Sequence, residues 1–289
     1  MGEIAQFESP VLSIEQDEFV ATVWLDRPEA RNAMGVDLWQ DLPRAMEAVG
    51  GDPSVRVVVV AAKGPHFSVG LDLKSMGSVL AGGGEAGADA AGGSGSAASM
   101  AARARGARRE VLRLQDAITA VARCPKPVVA AVHGYCIGGG VDLIAACDIR
   151  LGSADAIFSV REAKMAIVAD LGSLQRLPSI IGAGHVAELA FTGKDISAER
   201  AKEIGLLNDV AADADGVLKA ARALAAEIAA NSPIAVQGTK AVLAANEGRT
   251  VEQGLEYVAT WNAGMLPSDD LTEAVTAFME KRTPKFTGR

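Results

Sequence analysis

Long apolar runs are absent from this sequence, and their absence excludes one class of protein. No stretch of 18 or more uninterrupted apolar residues occurs, although 49% of the 289 residues are hydrophobic, so a membrane-spanning helix is not expected. The N-terminus, MGEIAQFESP, is acidic and polar where a signal peptide is basic and then apolar. We therefore expect a soluble, unprocessed, cytoplasmic protein that buries a sizeable core.

Cysteine and an excess of positive charge are also lacking. The three cysteines, Cys124, Cys136 and Cys147, have no CxxC spacing and lie in apolar stretches, which indicates reduced, buried thiols rather than a redox or metal site. The formal net charge of −8 argues against general nucleic-acid binding, because neutralising phosphates requires a basic face. Any anionic ligand would have to be bound by a local group of cationic side chains.

Apolar runs of strand length alternate with helical segments in the first two thirds of the chain. Residues 19–26 alternate as in a half-buried strand, whereas 55–62 and 127–134 are nearly continuous apolar runs, typical of a sheet covered on both faces. From about residue 211 the strand signals stop and helical apolar spacing follows. The pattern predicts an α/β fold with a C-terminal helical layer.

One low-complexity segment interrupts this order. Between residues 81 and 99, every residue except Glu85 and Asp89 is Ala, Gly or Ser. Such a composition buries little, so we expect a flexible Gly/Ala-rich insertion over 78–105. A predicted helix then carries five arginines: Arg103, Arg105, Arg108, Arg109 and Arg113. A solvated face is the usual reason for such a run, and contact with an anionic ligand is the alternative.

Two glycine-containing turns carry the strongest sign of chemistry. In HFSVGLDL, residues 66–73, a strand ends at Gly70, where glycine permits an unusual backbone angle. In HGYCIGGGVDLIAACD, residues 133–148, a buried strand leads through three glycines into an apolar helix with Asp142 in its first turn. A helix that begins at these glycines presents unpaired N–H donors and a positive dipole end. Developing negative charge is stabilised at such a place.

A tight strand-to-helix turn without a ligand is the alternative for a glycine triplet. The triplet is not GxGxxG and lacks the lysine of a phosphate-binding loop, so both nucleotide folds are disfavoured. His66 and His133 adjoin the two turns, but no Ser or Cys nucleophile spacing accompanies them. A structural or pocket-lining role is therefore favoured for both histidines.

Three acidic residues follow within the next thirty positions. Glu162 comes twenty residues after Asp142, and Asp170 eight residues after Glu162. Each has a structural alternative: Asp142 can complement its helix N-terminus, Glu162 can pair with a neighbouring cation, and Asp170 can cap the next helix. If all three border one apolar pocket, their repulsion raises at least one pKa and keeps one carboxyl protonated near neutral pH.

The two turns, the three acids and the segment RPEARNAM at 27–34 together resemble the crotonase, or enoyl-CoA hydratase/isomerase, superfamily over nearly the whole chain. The resemblance implies a crotonase-like spiral of β-β-α units over 1–210 that holds an acyl-CoA site, followed by a helical trimerisation region over 211–289. It also implies that the backbone N–H groups of Leu71 and Gly139 form an oxyanion hole for the thioester carbonyl.

Within that superfamily the acids resemble those of the Δ3,5-Δ2,4-dienoyl-CoA isomerases. Hydratases typically have Glu in the first acidic position and Gly in the third, where this chain has Asp142 and Asp170. The resemblance implies an isomerase of fatty acid β-oxidation. Shifting two double bonds toward a thioester needs a base next to the carbonyl and an acid at the far end of the diene. Our hypothesis is that Glu162 moves a proton next to the carbonyl, Asp170 moves one at the distal carbon and Asp142 positions and polarises the pair. An enoyl-CoA hydratase and a non-catalytic acyl-CoA-binding protein remain the alternatives.

The resemblance further suggests how coenzyme A binds, as part of the substrate, with no separate cofactor and no metal. Arg27 and Arg31 would lie beside the pantetheine and nucleotide, the loop at 66–72 beside the adenine, and the basic C-terminal tail over the ligand of a neighbouring subunit; a solvated tail is the alternative. The expected substrate contacts are Arg27, Arg31, His66, Ser68, Gly70, Asp72, Gly138, Lys281 and Lys285. Family members assemble as trimers that pair into hexamers, so we expect a homotrimer or a dimer of trimers, without nucleic-acid or membrane partners.

Overall fold

A six-stranded sheet is the framework of the protein, whose computed structural model describes residues 7–77 and 99–289. With strands numbered in chain order, its members are β1 (Leu12–Asp17), β2 (Val20–Leu25), β3 (Val57–Ala62), β4 (Val128–Val132), β6 (Ile149–Ser153) and β9 (Asp209–Ala211), which lie side by side in that order. The pair β1–β2 is antiparallel and all other neighbours are parallel. The strands predicted over 19–26, 55–62 and 127–134 are confirmed, each trimmed by up to two residues at an end.

Helices cover both faces of this sheet and form the whole C-terminal part of the described chain. They are α1 (Val36–Gly51), α2 (Met100–Arg123), α3 (Gly139–Ala145), α4 (Ser173–Ile181), α5 (Ala183–Thr192), α6 (Ala198–Glu203), α7 (Ala214–Ala229), α8 (Pro233–Ala245), α9 (Val251–Met265) and α10 (Asp269–Glu280). Short 3-10 turns occur at Pro28–Ala30 and Glu162–Met165. The α/β class and the C-terminal helical layer are thus confirmed.

Alternate residues of the central strands face two different cores. On β3, Val58 and Val60 pack in the core that contains the buried side chains of α1, whereas Val57 and Val59 pack with Val217 of α7. Every residue of β3 and β4 is buried. Because both faces of such a strand are buried, apolar side chains are favoured at every position, and its sequence is a continuous apolar run.

A second sheet of three short strands carries the chain from β4 toward the glycine triplet. It consists of β5 (Tyr135–Ile137), β7 (Ile157–Ser159) and β8 (Ile196–Ser197), in the order β5-β7-β8. The sequence predicted that one buried strand leads directly into the glycines, and the structure instead separates β4 from β5 by a turn at Gly134, where φ is +55°. The turn redirects the chain so that β5, rather than β4, delivers the triplet.

The insertion predicted over 78–105 falls largely outside the described residues, since 78–98 are not among them. Its last part is helical rather than loop-like: α2 begins at Met100, and the hydroxyl of Ser99 caps it by accepting a hydrogen bond from the Ala102 N–H at 3.2 Å. Serine is a favoured N-cap residue because its oxygen satisfies an otherwise unpaired N–H group.

No helix among the described residues is long and apolar enough to cross a membrane.

Replacing Gly134 by Ala is expected to destabilise the fold by several kcal/mol. A β-carbon there would lie 2.2 Å from the main-chain oxygen of Pro65, and the left-handed backbone adds a cost of about 1 kcal/mol for a non-glycine residue. Urea denaturation at fixed protein concentration measures the loss. Gly184→Ala is the matched control: that glycine lies in α5, its β-carbon would meet nothing within 4 Å, and a gain of up to about 1 kcal/mol is expected. Equal stability of the two variants would contradict this account of the turn.

Candidate active site

The two glycine turns lie side by side because the strand segments before them are hydrogen-bonded. The Phe67 N–H donates to the His133 oxygen at 2.9 Å, the Ser68 N–H to the Tyr135 oxygen at 2.8 Å and the Ile137 N–H to the Ser68 oxygen at 3.0 Å. These hydrogen bonds hold the two segments parallel, so both segments leave the pairing at the same end. The turns that follow them therefore meet.

The amide of Leu71 is left free by the way its neighbours pair. The Met34 N–H donates to the Gly70 oxygen at 2.8 Å, and the Asp72 N–H donates to the Met34 oxygen at 3.0 Å. In a parallel bridge of this kind the residue between the two partners directs its own N–H away from the bridge. Among the described residues, the Leu71 N–H has no hydrogen-bond acceptor.

The amide of Gly139 is the second free donor. Helix α3 begins at this residue, after Gly138 with φ +52°, and the Gly138 oxygen accepts the N–H groups of Val141 at 2.7 Å and Asp142 at 3.2 Å. Within the part of the chain that the structure describes, the Gly139 N–H donates to no acceptor. An unpaired N–H in the first turn is the ordinary condition of a helix start.

Backbone contact between the turns brings the two free amides to one place. At Gly70, where φ is +86°, an added β-carbon would lie 2.8 Å from the Ile137 oxygen and 3.7 Å from the Gly139 nitrogen. Only glycine fits at that position, since a side chain would push the turns apart. Leu71 and Gly139 both line one cavity of about 390 Å³.

This cavity is mostly apolar and has a few charged groups on its wall. Its apolar lining includes Trp39, Leu73, Met76, Val111, Leu114, Ile137 and Ile167. Its charged lining consists of Glu110, Arg161, Glu162 and Asp170. Glu110 is paired with Arg113 at 2.5 Å, and Arg161 is paired with Asp195. Two carboxyl groups, Glu162 and Asp170, thus border the cavity without a cation partner among the described residues.

Glu162 lies directly beside the second glycine turn. Its Oε1 would be 3.2 Å from a β-carbon on Gly138, and its Oε2 is shielded from solvent with no hydrogen-bond partner in the described parts of the chain. Burial, and then the charge of Asp170, raise the pKa of Glu162 above its usual value. The alternative of pairing with a neighbouring cation is wrong, because Arg161 turns to Asp195 instead.

Asp170 lies in the irregular segment between the 3-10 turn at 162–165 and α4. Burial raises the pKa of its carboxyl group. The residue preceding α4 is Gly172, which has no side chain, and the first N–H of the helix, that of Ser173, donates to Asp142 and not to Asp170, so the capping alternative for Asp170 is wrong. The carboxyl group instead borders the cavity and is available for proton transfer there.

Asp142 stands behind these two carboxyls and does not line the cavity itself. Its side chain is 1% exposed, and its Oδ1 accepts the Ser173 N–H at 2.6 Å. Burial, followed by the charge of Glu162, raises the pKa of Asp142 to about 7, with Ser173 opposing the shift and Asp170 adding to it. The charges of Glu162 and Asp170 thus act on Asp142, although Asp142 does not border the cavity with them.

Three of the residues expected to contact coenzyme A, Arg27, Arg31 and His66, lie near the first glycine turn, and their contact with a ligand stays a prediction. Arg31 is exposed in a left-handed turn beside His66, whose ring lies 4.6 Å from that of Tyr135. Arg27 is paired with Asp72 at 2.8 Å. Burial and then the charge of Arg31 lower the pKa of His66, which keeps the ring neutral at physiological pH.

Two of the expected contacts are corrected by the structure. Ser68 is fully buried, its hydroxyl donates to the Asn32 oxygen at 2.8 Å and accepts the Gly70 N–H at 3.1 Å, so its side chain shapes the turn and has no room for a ligand. The Asp72 carboxyl is buried as well and is occupied by Arg27 and the Lys74 N–H.

The remaining predicted residues lie apart from the cavity. His133 is buried and its Nε2 lies 2.8 Å from the Gly64 oxygen, which confirms its structural role. Lys281 ends α10 in a left-handed conformation, and Lys285 lines a separate hollow next to Arg56. Neither lysine lines the cavity of its own chain, and their contact with a neighbouring subunit's ligand stays a prediction.

Two residues that the sequence analysis missed support the site. The Asn32 side chain accepts the Arg27 N–H at 2.9 Å and donates to the main-chain oxygens of Lys63 at 2.9 Å and His66 at 2.8 Å. Asparagine tolerates the left-handed backbone that it adopts here, and this tolerance was the one sequence feature that could have indicated a role for Asn32. The second is Gln115, which donates from Nε2 to the Asp170 oxygen at 2.6 Å; its position on α2 carries no sequence signal.

Comparison with known proteins gives a consistent result. The model of the enoyl-CoA hydratase/isomerase family matches residues 15–87 and 77–289. A peroxisomal Δ3,5-Δ2,4-dienoyl-CoA isomerase of Arabidopsis thaliana is 44% identical over 93% of this chain and 93% of its own. A mitochondrial enzyme of the same name from Mus musculus is 42% identical over 92% of this chain and 78% of its own. The crystal structure of an enoyl-CoA hydratase from Bacillus anthracis superposes with a TM-score of 0.84 at 29% identity, covering 96% of this chain and 100% of that one.

The raised pKa of Asp142 makes the stability of the protein depend on pH. The folded state holds a proton that the unfolded state has released between pH 3.8 and about 7, so the free energy of unfolding falls as pH rises through that window. Asp142→Asn removes this contribution, and at pH 8 we expect it to be the more stable protein by a few kcal/mol, on the order of 4 at most. Urea denaturation from pH 5 to pH 8 measures the difference.

An exposed aspartate provides the control for this experiment. Asp116→Asn on α2 alters a solvated carboxyl and is expected to leave the pH dependence of unfolding as it is in the unmodified protein. Parallel curves for Asp142→Asn and the unmodified protein would show that the buried carboxyl carries no extra proton.

Proposed function

The chain belongs to the enoyl-CoA hydratase/isomerase family, and on that premise we propose that it is a dienoyl-CoA isomerase of fatty acid β-oxidation. It converts a 3,5-dienoyl-CoA into the 2,4-dienoyl-CoA through a thioester enolate. The observation that carries this proposal is the presence of two half-buried carboxyl groups without a cation partner among the described residues, Glu162 and Asp170, on the same apolar cavity as the free amides of Leu71 and Gly139. The identity to relatives named as dienoyl-CoA isomerases supports it.

The first half of the reaction creates negative charge at the thioester. Glu162, as a carboxylate, takes a proton from C2, and the electrons of that C–H bond move toward the thioester oxygen. The N–H groups of Leu71 and Gly139 donate hydrogen bonds to this oxygen, and removing one such donor typically costs about 10²- to 10³-fold in rate. Both donors are backbone groups, so they need no reorganisation as the charge develops.

The second half returns a proton at the far end of the conjugated system. Asp170, as a carboxylic acid, protonates C6, and the double bonds then lie at C2 and C4. Glu162 has gained one proton and Asp170 has lost one, so the pair as a whole holds the same number of protons as before. Burial raises the pKa of both groups, and the charge of Asp170 raises that of Glu162 further, which favours a pair in which one member keeps a proton.

Asp142 acts on the pair without touching the substrate in this scheme. Burial and then the charge of Glu162 raise the pKa of Asp142, so the ionisation of one of these two carboxyl groups disfavours the ionisation of the other. The hydrogen bond from the Ser173 N–H to Asp142 fixes the start of α4, directly after the segment that holds Asp170. Asp142 therefore influences both the charge and the position of the acids.

A hydratase that adds water to a 2-enoyl thioester is the second candidate. Members of the family with that name share the fold of this chain, and a carboxyl pair on an oxyanion cavity can also activate water. The acid at position 170 argues for isomerisation, because it supplies a proton donor at a distance from the thioester. An acyl-CoA-binding protein without activity is disfavoured by the retention of all three acids.

The chemistry moves protons and no electrons, so it requires no redox cofactor. We propose that the carboxyl groups act without a metal, and that coenzyme A enters as part of the substrate. Among the described residues, no group of three or more His, Cys, Asp and Glu side chains is arranged to hold a metal ion. Turnover that survives extensive dialysis against a chelator would agree with this proposal.

Apolar side chains on the C-terminal helices support assembly into a trimer or a pair of trimers. The sequence spacing of α10 predicts an apolar stripe, yet in the single chain this stripe is exposed: Leu271, Val275, Phe278 and Met279. Leu243, Val251, Leu255 and Leu266 on or beside the neighbouring helices are exposed too. Contiguous exposed apolar surface of this kind is typical of a subunit interface.

The cytoplasmic location stays a prediction. The relatives from Arabidopsis and mouse bear the words peroxisomal and mitochondrial in their names. Localisation of a fluorescent fusion at either terminus tests it.

Removing either proton carrier is expected to slow isomerisation strongly. Glu162→Gln and Asp170→Asn keep the shape of the side chain and abolish its acid–base function, which usually contributes about 10²- to 10⁴-fold. The gain in near-ultraviolet absorbance as a 3,5-dienoyl-CoA becomes conjugated with its thioester measures the rate. Asp116→Asn serves as the exposed control. Full activity of Asp170→Asn would remove Asp170 from the mechanism, and loss of 2-enoyl absorbance without isomerisation would favour the hydratase.

The proposed interface gives a second test. Phe278→Asp on α10 places a charge in the apolar stripe, so we expect the mass measured by sedimentation velocity to fall from that of a trimer or hexamer toward that of a monomer. Phe191→Asp on α5 changes an equally exposed aromatic outside the C-terminal layer and is expected to remain a trimer or larger. A monomeric unmodified protein at micromolar concentration would contradict the proposal.

A further inference from the structure

The segment that carries Asp170 has little regular structure to hold it. Residues 167–172 form neither helix nor strand, and Val168 is exposed to solvent. The Ile167 N–H donates to the Glu162 oxygen at 3.1 Å, which anchors the beginning of the segment. Ala169 and Leu171, on either side of Asp170, are buried in the core, so the position of Asp170 depends on that packing and on the hydrogen bonds that the backbone of the segment makes.

The shortest hydrogen bond to this segment comes from helix α2. The Gln115 side chain donates from Nε2 to the main-chain oxygen of Asp170 at 2.6 Å. A carbonyl oxygen only accepts hydrogen bonds, so the amide must present its NH₂ group here. Among the described residues, the other side-chain bond to this backbone segment is a longer one, from Arg176 to the Leu171 oxygen at 3.4 Å.

The same helix forms a wall of the cavity. Val111 and Leu114 of α2 line it, and Gln115 lies one turn beyond Val111 on the helix surface, because residues four apart are neighbours on a helix. In this scheme α2 contacts the acyl chain of the substrate and also holds the segment that carries the distal acid. One rigid helix thus sets the position of the acid relative to the acyl chain. A rigid support matters because a misplacement of about 1 Å can cost 100-fold in rate.

We propose that Gln115 is a positioning residue for the isomerisation: its hydrogen bond to the Asp170 backbone sets the distance between the Asp170 carboxyl and the distal end of the diene. This inference rests on the proposed role of Asp170 as the distal acid. Gln115 does not line the cavity that Leu71 and Gly139 border, so in this scheme it acts on the proton-transfer step and leaves the binding of the coenzyme A portion unaffected.

Gln115→Met tests the proposal by removing the donor while keeping the length of the side chain. With a 3,5-dienoyl-CoA we expect kcat to fall at least 10-fold and KM to stay within twofold. Gln175→Met is the matched control, since Gln175 is exposed on α4 and its replacement is expected to leave kcat and KM unchanged. Gln115→Glu is a second variant of similar shape, whose ionised carboxylate cannot donate, and the same loss is expected.

The double variant separates positioning from a general structural effect. In the Asp170→Asn background, where the acid is already absent, Gln115→Met is expected to cost less than twofold more in kcat, so the two losses are not additive. Equal losses in both backgrounds, a rise in KM that accounts for the effect, or unchanged kcat in Gln115→Met and Gln115→Glu would each overturn the proposal.

Asp170→Asn alone distinguishes a failure of this inference from a failure of the proposed function. If that variant is nearly inactive while Gln115→Met is as active as the unmodified protein, Asp170 keeps its role and Gln115 loses the one proposed here. If Asp170→Asn is fully active, the distal acid lies elsewhere and the inference falls with it.

Discussion

The contact between two backbone turns is the constraint on which the rest of this structure depends. Gly70 packs against the Ile137 oxygen so closely that a β-carbon would stand 2.8 Å from it, and this contact brings the free amides of Leu71 and Gly139 to the same cavity. Each amide is free for a different reason: one lies on the outer side of a parallel bridge, and the other starts a helix. The large sheet, the Gly134 turn and the buried Asn32 serve to hold these two segments together.

The three acidic residues are the second part of the site, and their burial and mutual repulsion lower the stability of the fold. Three carboxyl groups are crowded where burial already disfavours their charge, and Asp142 alone is shifted from an ordinary value to about 7. A protein gains nothing in folding from such an arrangement. Glu162 and Asp170 border an apolar cavity without a cation partner among the described residues, and Asp142 lies behind them. This arrangement is therefore better explained by the need for groups that take up and release protons.

Several parts of the fold and of the site could be predicted from the sequence because each rests on a local pattern. The runs of valine indicated buried strands, and the glycine triplet followed by Asp142 indicated a helix start with free donors. The second sheet could not be predicted, since its strands have only two or three residues and are formed by long-range pairing. Likewise the burial of Ser68, the pairing of Asp72 and the bond from Gln115 to Asp170 depend on residues that are distant in the chain.

The free amides of Leu71 and Gly139 have a consequence for how this protein tolerates sequence change. Because the donors are main-chain atoms, no replacement at position 71 except proline deletes the hydrogen bond that it offers. Genetic variation would instead register at the glycines beside it, where an added methyl group at Gly70 or Gly134 meets backbone oxygen. A survey of mutational tolerance would thus mark these glycines as essential and would detect the Leu71 donor at one substitution, proline; an amide-to-ester exchange in the polypeptide would remove the donor with the side chain kept.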